Sequence, residues 1–263
     1  MKKILTIAGS DCSGGAGIQA DLKTIAAHNA YGMSVITALT AQNTTGVYGV
    51  MEATSQFVGQ QLDCIFTDIR PDAVKIGMVS NLEIIKVIAD KLIEYKAENI
   101  VVDPVMISTS GSKLLSDNAI YALKNTLLPI AHIITPNIPE SESLSGISID
   151  NTEDMISAAY LIAEKGDFDI LIKGGHLLEY AHDLLLKDDK AYWFEQPKID
   201  NFNTHGTGCT LSSAIACNLA FGHTMKESVK NAKEYITGAI LDGLNIGKGS
   251  GPLNHFYHMN RLL

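Results

Sequence analysis

The sequence predicts an α/β fold in which a mostly parallel central sheet is covered by helices on both faces. Strand-like apolar runs alternate with segments of helical periodicity along the chain, and this alternation implies crossover connections between parallel strands. All 7 prolines fall at boundaries between these segments, as expected for a residue that interrupts both helices and strands. No repeat or linker interrupts the pattern, so residues 1–263 are predicted to form one domain.

The individual elements follow from the local patterns. Short apolar or β-branched runs predict strands at residues 3–8, 33–39, 73–76, 100–102, 132–135 and 170–173. Two further runs, at residues 183–187 and 191–195, predict a hairpin. Helical periodicity predicts helices at residues 18–28, 56–69, 82–95, 117–127, 152–165, 210–221 and 226–244.

The composition excludes several classes of function. The net charge of −9 and pI of about 5.3 argue against nucleic acid as a partner, although one pocket could still bind a small anion. The 4 cysteines are spread without a CxxC pair, which indicates neither a zinc site nor a disulfide framework and favours a reducing, cytoplasmic setting. The apolar run after Met1 is too short for a signal peptide, and none approaches the ~18 residues that span a membrane.

The stretch 203–212 (Asn-Thr-His-Gly-Thr-Gly-Cys-Thr-Leu-Ser) predicts an anion site. Gly206 and Gly208 come just before a buried helix, where backbone N–H groups lack intrahelical partners and the helix dipole favours negative charge. An ordinary glycine-rich loop entering a core helix is the alternative. Cys209 lies at this helix N-terminus, so its thiol pKa is predicted to fall.

Polar residues also follow the predicted strands, where ligands gather in parallel sheets. The first loop, residues 9–17, matches neither the dinucleotide-binding nor the Walker glycine pattern, and a tight turn capped by Ser13 would explain it equally well. Asp21 could face a ligand or be a solvated helical residue. Gln42 could read the edge of a heterocycle, and Met78 could form a wall against a flat ring or fill the core.

A second group of strand-end residues could hold a nucleotide. Asp103, Asn137 and Glu140 could organise Mg²⁺ through water and phosphate oxygens. Alternatively, Asp103 is a turn residue and Glu140 is favoured by the dipole of a helix first turn. Lys173 could face a nucleotide phosphate or extend from a strand end into solvent. The isolated histidines, among them His176 and His205, are assigned no catalytic role.

Together these segments resemble the hydroxymethylpyrimidine/phosphomethylpyrimidine kinases of the ribokinase-like family. The resemblance covers nearly the whole chain in order, and its matching stretches are residues 5–11, 13–24, 35–44, 75–78, 134–140, 173–176 and 203–212.

This resemblance implies a ribokinase-like three-layer sandwich that uses ATP and Mg²⁺ to phosphorylate 4-amino-5-hydroxymethyl-2-methylpyrimidine and then its monophosphate. It also implies a cytoplasmic homodimer. Gln42 would read the aminopyrimidine edge and Asp21 would contact polar groups of the substrate. The turn formed by Gly206, Thr207 and Gly208 would bind the transferred phosphoryl group, and Cys209 would accept or position the hydroxymethyl proton.

The resemblance also implies the surrounding contacts. The substrate pocket would be lined by Ala16, Thr40, Met78 and Val105. Asp103, Asn137 and Glu140 would support Mg²⁺ and the phosphates, with Asp103 and Glu140 acting on the metal through water, and Lys173 would lie on the nucleotide side. Two alternatives remain: a pyridoxal kinase of the same family, and a catalytically silent pyrimidine-binding sensor.

Overall fold

The protein is described from a computed structural model that covers residues 1–106, 115–174, 180–197, 199 and 201–259. Gly175 and His176, which follow a predicted strand, lie outside these residues. The strands are β1 (Lys3–Asp11), β2 (Tyr31–Asn43), β3 (Gly46–Glu52), β4 (Ala73–Ile76), β5 (Ile100–Val102), β6 (Ile133–Ile134), β7 (Asp169–Lys173), β8 (Tyr180–Lys187) and β9 (Lys190–Pro197). The helices are α1 (Gly17–Ala27), α2 (Ser55–Asp68), α3 (Leu82–Glu94), α4 (Asp117–Ala122), α5 (Ile138–Ser145), α6 (Thr152–Ala163), α7 (Thr207–Ala220) and α8 (Met225–Leu241).

The described strands form one nine-stranded sheet in the order β3-β2-β1-β4-β5-β6-β7-β8-β9. From β2 to β7 the neighbouring strands are parallel. At the edges, β3 pairs antiparallel with β2, β8 with β7, and β9 with β8. The sheet is therefore mixed, and the prediction of a mostly parallel sheet is wrong, because hairpins rather than crossover helices add the strands at both edges.

Side-chain alternation along the strands places a hydrophobic core on each face of the sheet. Leu5 and Ile7 of β1 join one core, which contains the buried sides of α2, α3, α4 and α6. Ile4 of the same strand joins the other core, built with α1, α7 and α8. Because successive residues point to opposite faces, a run of consecutive apolar residues covers both sides. The result is the predicted three layers, with the sheet between two layers of helix.

The structure differs from the predicted elements in a few places. The strand β3 was not predicted, since it carries two glycines. The helix α5 was predicted only as the alternative that puts Glu140 in a helix first turn, because its sequence Ile-Pro-Glu-Ser-Glu-Ser lacks a clear apolar period. The segment predicted as one helix at 117–127 is α-helical to Ala122 and continues as a π-helical turn, Leu123–Leu127. Within the described part of the chain, the helices are too short or too polar for any to cross a membrane.

Candidate functional site

The carboxyl ends of the parallel strands meet at one edge of the sheet, and the N-terminus of α7 reaches the same edge. The loop after β1 contacts the start of α7 closely. Gly206 has a left-handed backbone with φ of 84°, and a Cβ at this position would overlap the carbonyl oxygen of Gly15. A Cβ at Gly15 would overlap the ring of His205. Glycine is therefore required at both positions by close packing, and at Gly206 also by conformation.

The N-terminus of α7 presents backbone N–H groups at this edge. The first intrahelical hydrogen bond runs from the Thr210 N–H to the Gly206 carbonyl at 2.9 Å, so the N–H groups of Gly208 and Cys209 come before it in the helix. Gly206, the N-cap residue, supplies no side-chain cap. This geometry matches the predicted anion site, since two amides and the positive end of the helix point the same way. Phosphoryl binding there remains a prediction.

A buried ion pair lies beneath the start of α7. The Lys75 ammonium is 2.9 Å from both carboxylate oxygens of Asp21, and both side chains are fully buried. Thr6 Oγ1 donates to the same carboxylate at 2.6 Å, and Ser213 Oγ of α7 donates at 2.8 Å. The alternative of a solvated Asp21 is wrong. Direct contact of Asp21 with substrate stays a prediction, and its present partners make it the counter-ion that holds Lys75.

Lys75 was missed by sequence reasoning, although a signal for it exists. It is the only charged residue of the strand Ala-Val-Lys-Ile, whose four residues are all buried. A buried ammonium needs a partner, and a lysine inside such a strand therefore predicts a carboxylate nearby. Burial alone lowers the pKa of Lys75, but the charge of Asp21, together with Cys209, Asp103 and the Asp21 hydrogen bond, outweighs that effect and the net shift is upward.

The environment of Cys209 reverses one prediction. The pKa of its thiol is raised rather than lowered, chiefly because burial disfavours the thiolate. The Lys75 ammonium opposes the rise, the carboxylates of Asp21 and Asp103 add to it, and a hydrogen bond from the Gly17 N–H lowers it. The predicted fall of the pKa is wrong because the helix N-terminus was weighed without the burial of the sulfur and the nearby carboxylates.

Asp103 and Lys173 form a second ion pair next to α7. The Lys173 ammonium lies 2.8 Å from Asp103 Oδ1, which also accepts a hydrogen bond from Thr135 Oγ1 at 3.3 Å. A Cβ built on Gly208 would lie 3.2 Å from Asp103 Oδ2 and 3.4 Å from Lys173 Nζ. This pair therefore borders the helix N-terminus directly, and the alternative of a solvent-extended Lys173 is wrong, since its side chain is only 17% exposed.

Asn137 and Glu140 form a capping box at the start of α5. The Asn137 Oδ1 accepts from the Glu140 N–H at 2.9 Å, and the Glu140 Oε2 accepts from the Asn137 N–H at 2.9 Å. Glu140 Oε1 accepts from the Met106 N–H at 3.0 Å. Burial raises the pKa of Glu140, against the opposing charge of Lys173. The helix-start alternative for Glu140 is confirmed, and it leaves a metal role untested.

The carboxylates at this edge already have partners within the protein. Among the described residues no group of three or more His, Cys, Asp or Glu side chains is placed to hold a metal ion. Asp103 Oδ1 is taken by Lys173, and both Glu140 oxygens accept backbone N–H groups. Because Mg²⁺ keeps several waters and is held mainly by substrate phosphates, this set suits the predicted contact through water better than direct ligation.

The loop after β1 forms a separate hydrogen-bonded unit around Asp11. This carboxylate accepts from the N–H groups of Ser13, Gly15 and Ala16 at 2.8, 3.1 and 2.9 Å, and Ser13 Oγ donates to it at 2.7 Å. Burial would raise the pKa of Asp11, but these bonds and His205 lower it to about 2. The loop amides therefore bind a carboxylate of their own chain, which supports the turn interpretation of this glycine-rich loop. The predicted cap residue, Ser13, is wrong, because Asp11 rather than Ser13 accepts the loop N–H groups.

The predicted substrate-pocket residues lie along the same edge. Gln42 and Thr40 are near the end of β2, and Gln42 Nε2 is 3.1 Å from His205 Nε2. The Met78 methyl group lies over Gly9, where a Cβ would approach it to 2.6 Å. Val105 has φ of 39°, which is strained for a β-branched residue and is typical of functional sites. Ala16 caps α1 in extended conformation. Their contacts with substrate remain predictions.

Comparison with known proteins identifies the family. A family model described as phosphomethylpyrimidine kinase matches residues 11–254. The chain is 46% identical to the hydroxymethylpyrimidine/phosphomethylpyrimidine kinase of Streptomyces coelicolor, over 96% of this chain and 93% of the relative. It is 49% identical to the thiamine biosynthesis bifunctional protein ThiED of Geobacter sulfurreducens over 96% of its own length, but spans only about half (52%) of that relative.

Solved structures agree with this assignment. The crystal structure of phosphomethylpyrimidine kinase from Clostridium difficile 630 superimposes with a TM-score of 0.83 at 49% identity, over 91% of this chain and 100% of that one. The Bacillus subtilis pyridoxal kinase in its ADP complex superimposes with a TM-score of 0.91 at 38% identity, over 99% of both chains. These matches run almost from end to end of the chain and include the glycine-led helix start beside Cys209. The chain therefore belongs to the phosphomethylpyrimidine kinase family, as the resemblance predicted.

Proposed function

We propose that this chain transfers the γ-phosphoryl group of ATP to the hydroxymethyl group of 4-amino-5-hydroxymethyl-2-methylpyrimidine, and then phosphorylates the monophosphate to the diphosphate for thiamine biosynthesis. The observation that carries the proposal is the start of α7, where the N–H groups of Gly208 and Cys209 precede the first intrahelical bond. Charge develops on the phosphoryl oxygens during transfer, and preorganised amides stabilise it. The same turn carries Cys209, whose sulfur would lie beside the reacting group.

In the proposed reaction Cys209 receives or orients the proton of the attacking hydroxymethyl group. The Lys75 ammonium favours the thiolate, and Asp21 keeps that ammonium in place. The Lys173–Asp103 pair borders Gly208, so the Lys173 ammonium lies beside the helix start that would bind the phosphate. Mg²⁺, when bound with ATP, would neutralise phosphate charge, and Asp103 and Glu140 are the carboxylates that would hold its water shell.

The unit that carries this activity is proposed to be one ribokinase-like domain, residues 1–263, because one sheet runs through all its described parts. We further propose a cytoplasmic homodimer. Support for self-association comes from the edge strand β3, where Val47, Tyr48, Val50 and Met51 are 53–71% exposed. Such an apolar edge is usually covered in a folded protein. Light scattering of the purified chain tests it.

Pyridoxal kinase activity is the second candidate. It is favoured by the Staphylococcus aureus pyridoxal kinase in complex with AMP-PCP and pyridoxal, which superimposes with a TM-score of 0.91 at 36% identity. Gln42 favours the pyrimidine instead, since its carboxamide offers a donor beside an acceptor, as an aminopyrimidine edge requires. The catalytically silent sensor is disfavoured because the helix start, Cys209 and the Lys173–Asp103 pair are all in place.

A coupled ADP-release assay with each alcohol tests the function. Turnover is expected with the pyrimidine, and Gln42→Ala is expected to raise the pyrimidine KM at least about tenfold, since a hydrogen-bonded recognition pair is worth more than ~1.4 kcal/mol when lost. The KM for ATP should not change in this variant. Turnover with pyridoxal alone would transfer the assignment to the second candidate, and absence of turnover with both would favour the sensor.

A further inference from the structure

His205 joins two parts of the site that the proposed reaction leaves separate. Its Nε2 lies 3.0 Å from Asp11 Oδ2 and 3.1 Å from Gln42 Nε2. The ring packs directly against Gly15, and its side chain is only 17% exposed. One imidazole nitrogen therefore touches both the carboxylate at the end of β1 and the carboxamide near the end of β2.

The contacts of Asp11 determine whether His205 Nε2 carries a hydrogen. Four donors of the loop point at the Asp11 carboxylate, namely the N–H groups of Ser13, Gly15 and Ala16 and the Ser13 hydroxyl. A carboxylate so surrounded is ionised and only accepts hydrogen bonds. His205 Nε2 must therefore carry a hydrogen and donate it to Asp11. A Gln42 amide nitrogen cannot face the same N–H, because two donors would then oppose each other.

Thr40 presents a second conflict at the other end of the same carboxamide. Its Oγ1 lies 3.0 Å from the Ser10 carbonyl oxygen and 3.2 Å from Gln42 Oε1. Both of these oxygens are acceptors, and a hydroxyl has one hydrogen to donate. A half-turn of the carboxamide relieves both conflicts. The single Nε2 hydrogen of His205 then faces two acceptors and is shared between Asp11 Oδ2 and Gln42 Oε1 in a bifurcated bond. Gln42 Nε2 donates to Thr40 Oγ1, and the threonine hydroxyl donates to Ser10. The partners of an amide assign its oxygen and nitrogen.

We propose that His205, held by Asp11, is a positioning residue that fixes the orientation of the Gln42 carboxamide and thereby selects the substrate ring. Gln42 then presents an acceptor on its His205 side and a donor on its Thr40 side. A ring with an exocyclic amine next to a ring nitrogen matches this order. Pyridoxal has no amine beside its ring nitrogen and does not match. The substrate part of this inference rests on the proposed function.

The arrangement of hydrogens is tested first in the wild-type protein without ligand. Nitrogen NMR of the histidine rings is expected to show His205 with its hydrogen on Nε2, and the Gln42 side-chain N–H is expected to show a contact with Thr40. A His205 ring with its hydrogen on Nδ1 only, or a Gln42 N–H directed at His205, overturns the proposal. These measurements do not depend on turnover, so they decide the proposal even where the pyrimidine is not a substrate.

Kinetics then test the effect on substrate selection. His205→Ala is expected to raise the pyrimidine KM about tenfold with little change in the KM for ATP, since a charge-assisted hydrogen bond orders the carboxamide. The double variant Gln42→Ala/His205→Ala should be no worse than Gln42→Ala, because His205 acts through Gln42. Losses that multiply in the double variant overturn the proposal.

Two further variants separate positioning from folding. His205→Gln keeps N–H donors at this position and is expected to recover part of the lost affinity, whereas His205→Leu should not. Equal kinetics of these two variants would count against the proposal. His223, an exposed histidine outside the site, provides the control, and His223→Ala should match wild type.

Discussion

Removing the Lys75 charge is expected to destabilise the protein strongly. In Lys75→Met the Asp21 carboxylate would stay fully buried without its cation, keeping only the hydroxyls of Thr6 and Ser213. Breaking a buried pair in this way costs roughly 3–5 kcal/mol. For a domain of this size each kcal/mol lowers the Tm by about 2–4 °C, so the expected fall is on the order of 10 °C at pH 7.

The matched control removes both charges. Lys75→Met/Asp21→Asn leaves no uncompensated charge, and replacing a buried pair as a whole is often close to neutral. Thermal and urea unfolding of wild type, the single variant and the double variant measure the difference directly. A loss below about 1 kcal/mol in Lys75→Met, or a double variant less stable than the single, would refute the interpretation of this pair as an isolated buried ion pair.

Three other predictions concern single groups. Cys209→Ala should lower kcat at least ~100-fold. The kcat of wild type should rise with pH above neutrality, because burial raises the pKa of this thiol. Steady-state kinetics over a pH series measure both effects, and Cys64→Ala, at an exposed cysteine, is the control. Gly206→Ala should lose more stability in urea than Gly222→Ala, because both positions have positive φ but only the first would overlap a neighbouring carbonyl; equal losses would contradict this. Burial lowers the pKa of His255 from 6.5 to about 4. The free energy of unfolding should therefore fall by about 3 kcal/mol between pH 6.5 and pH 4, as the buried ring must take up a proton. The unfolding of His255→Gln should lack this part of the pH dependence.

The local elements of the fold could be predicted because their signals are local. The bounds of β4 and β5 follow from short apolar runs that end in turn residues. The strand β3 could not be predicted in the same way, since two glycines interrupt its apolar residues and those residues do not alternate with polar ones. Its antiparallel pairing with β2 depends on a hairpin that the sequence did not indicate, whereas the predicted hairpin at residues 183–187 and 191–195 is confirmed by the pairing of β8 with β9.

The candidate site could be predicted as a set of residues but not as a set of contacts. Strand ends of a parallel sheet converge by topology, which is why Gln42, Asp103 and Lys173 lie along one edge. The partners of these residues come from distant parts of the chain. Asp11 meets His205 across 194 residues, and Asp21 meets Lys75 across 54. No periodicity in the sequence encodes such pairings, and the protonation of each group depends on them.

Cys209 shows why a local rule gave the wrong sign. A helix N-terminus stabilises an anion by roughly 0.3–1 kcal/mol, up to ~2 kcal/mol in a buried geometry, which is about one pKa unit. Burial raises the pKa of this thiol by more than the helix lowers it, and the carboxylates of Asp21 and Asp103 act in the same direction as burial. Lys75 is the one cation that opposes them among the causes acting on this sulfur.

The protonation state of the Cys209 sulfur depends on the partners of Lys75. The Lys75 ammonium stabilises the thiolate only in part, because both carboxylate oxygens of Asp21 already bind it. The thiol is therefore neutral in the protein without ligand, and it can accept the hydroxyl proton only after it has lost its own proton to solvent, which becomes easier as the pH rises.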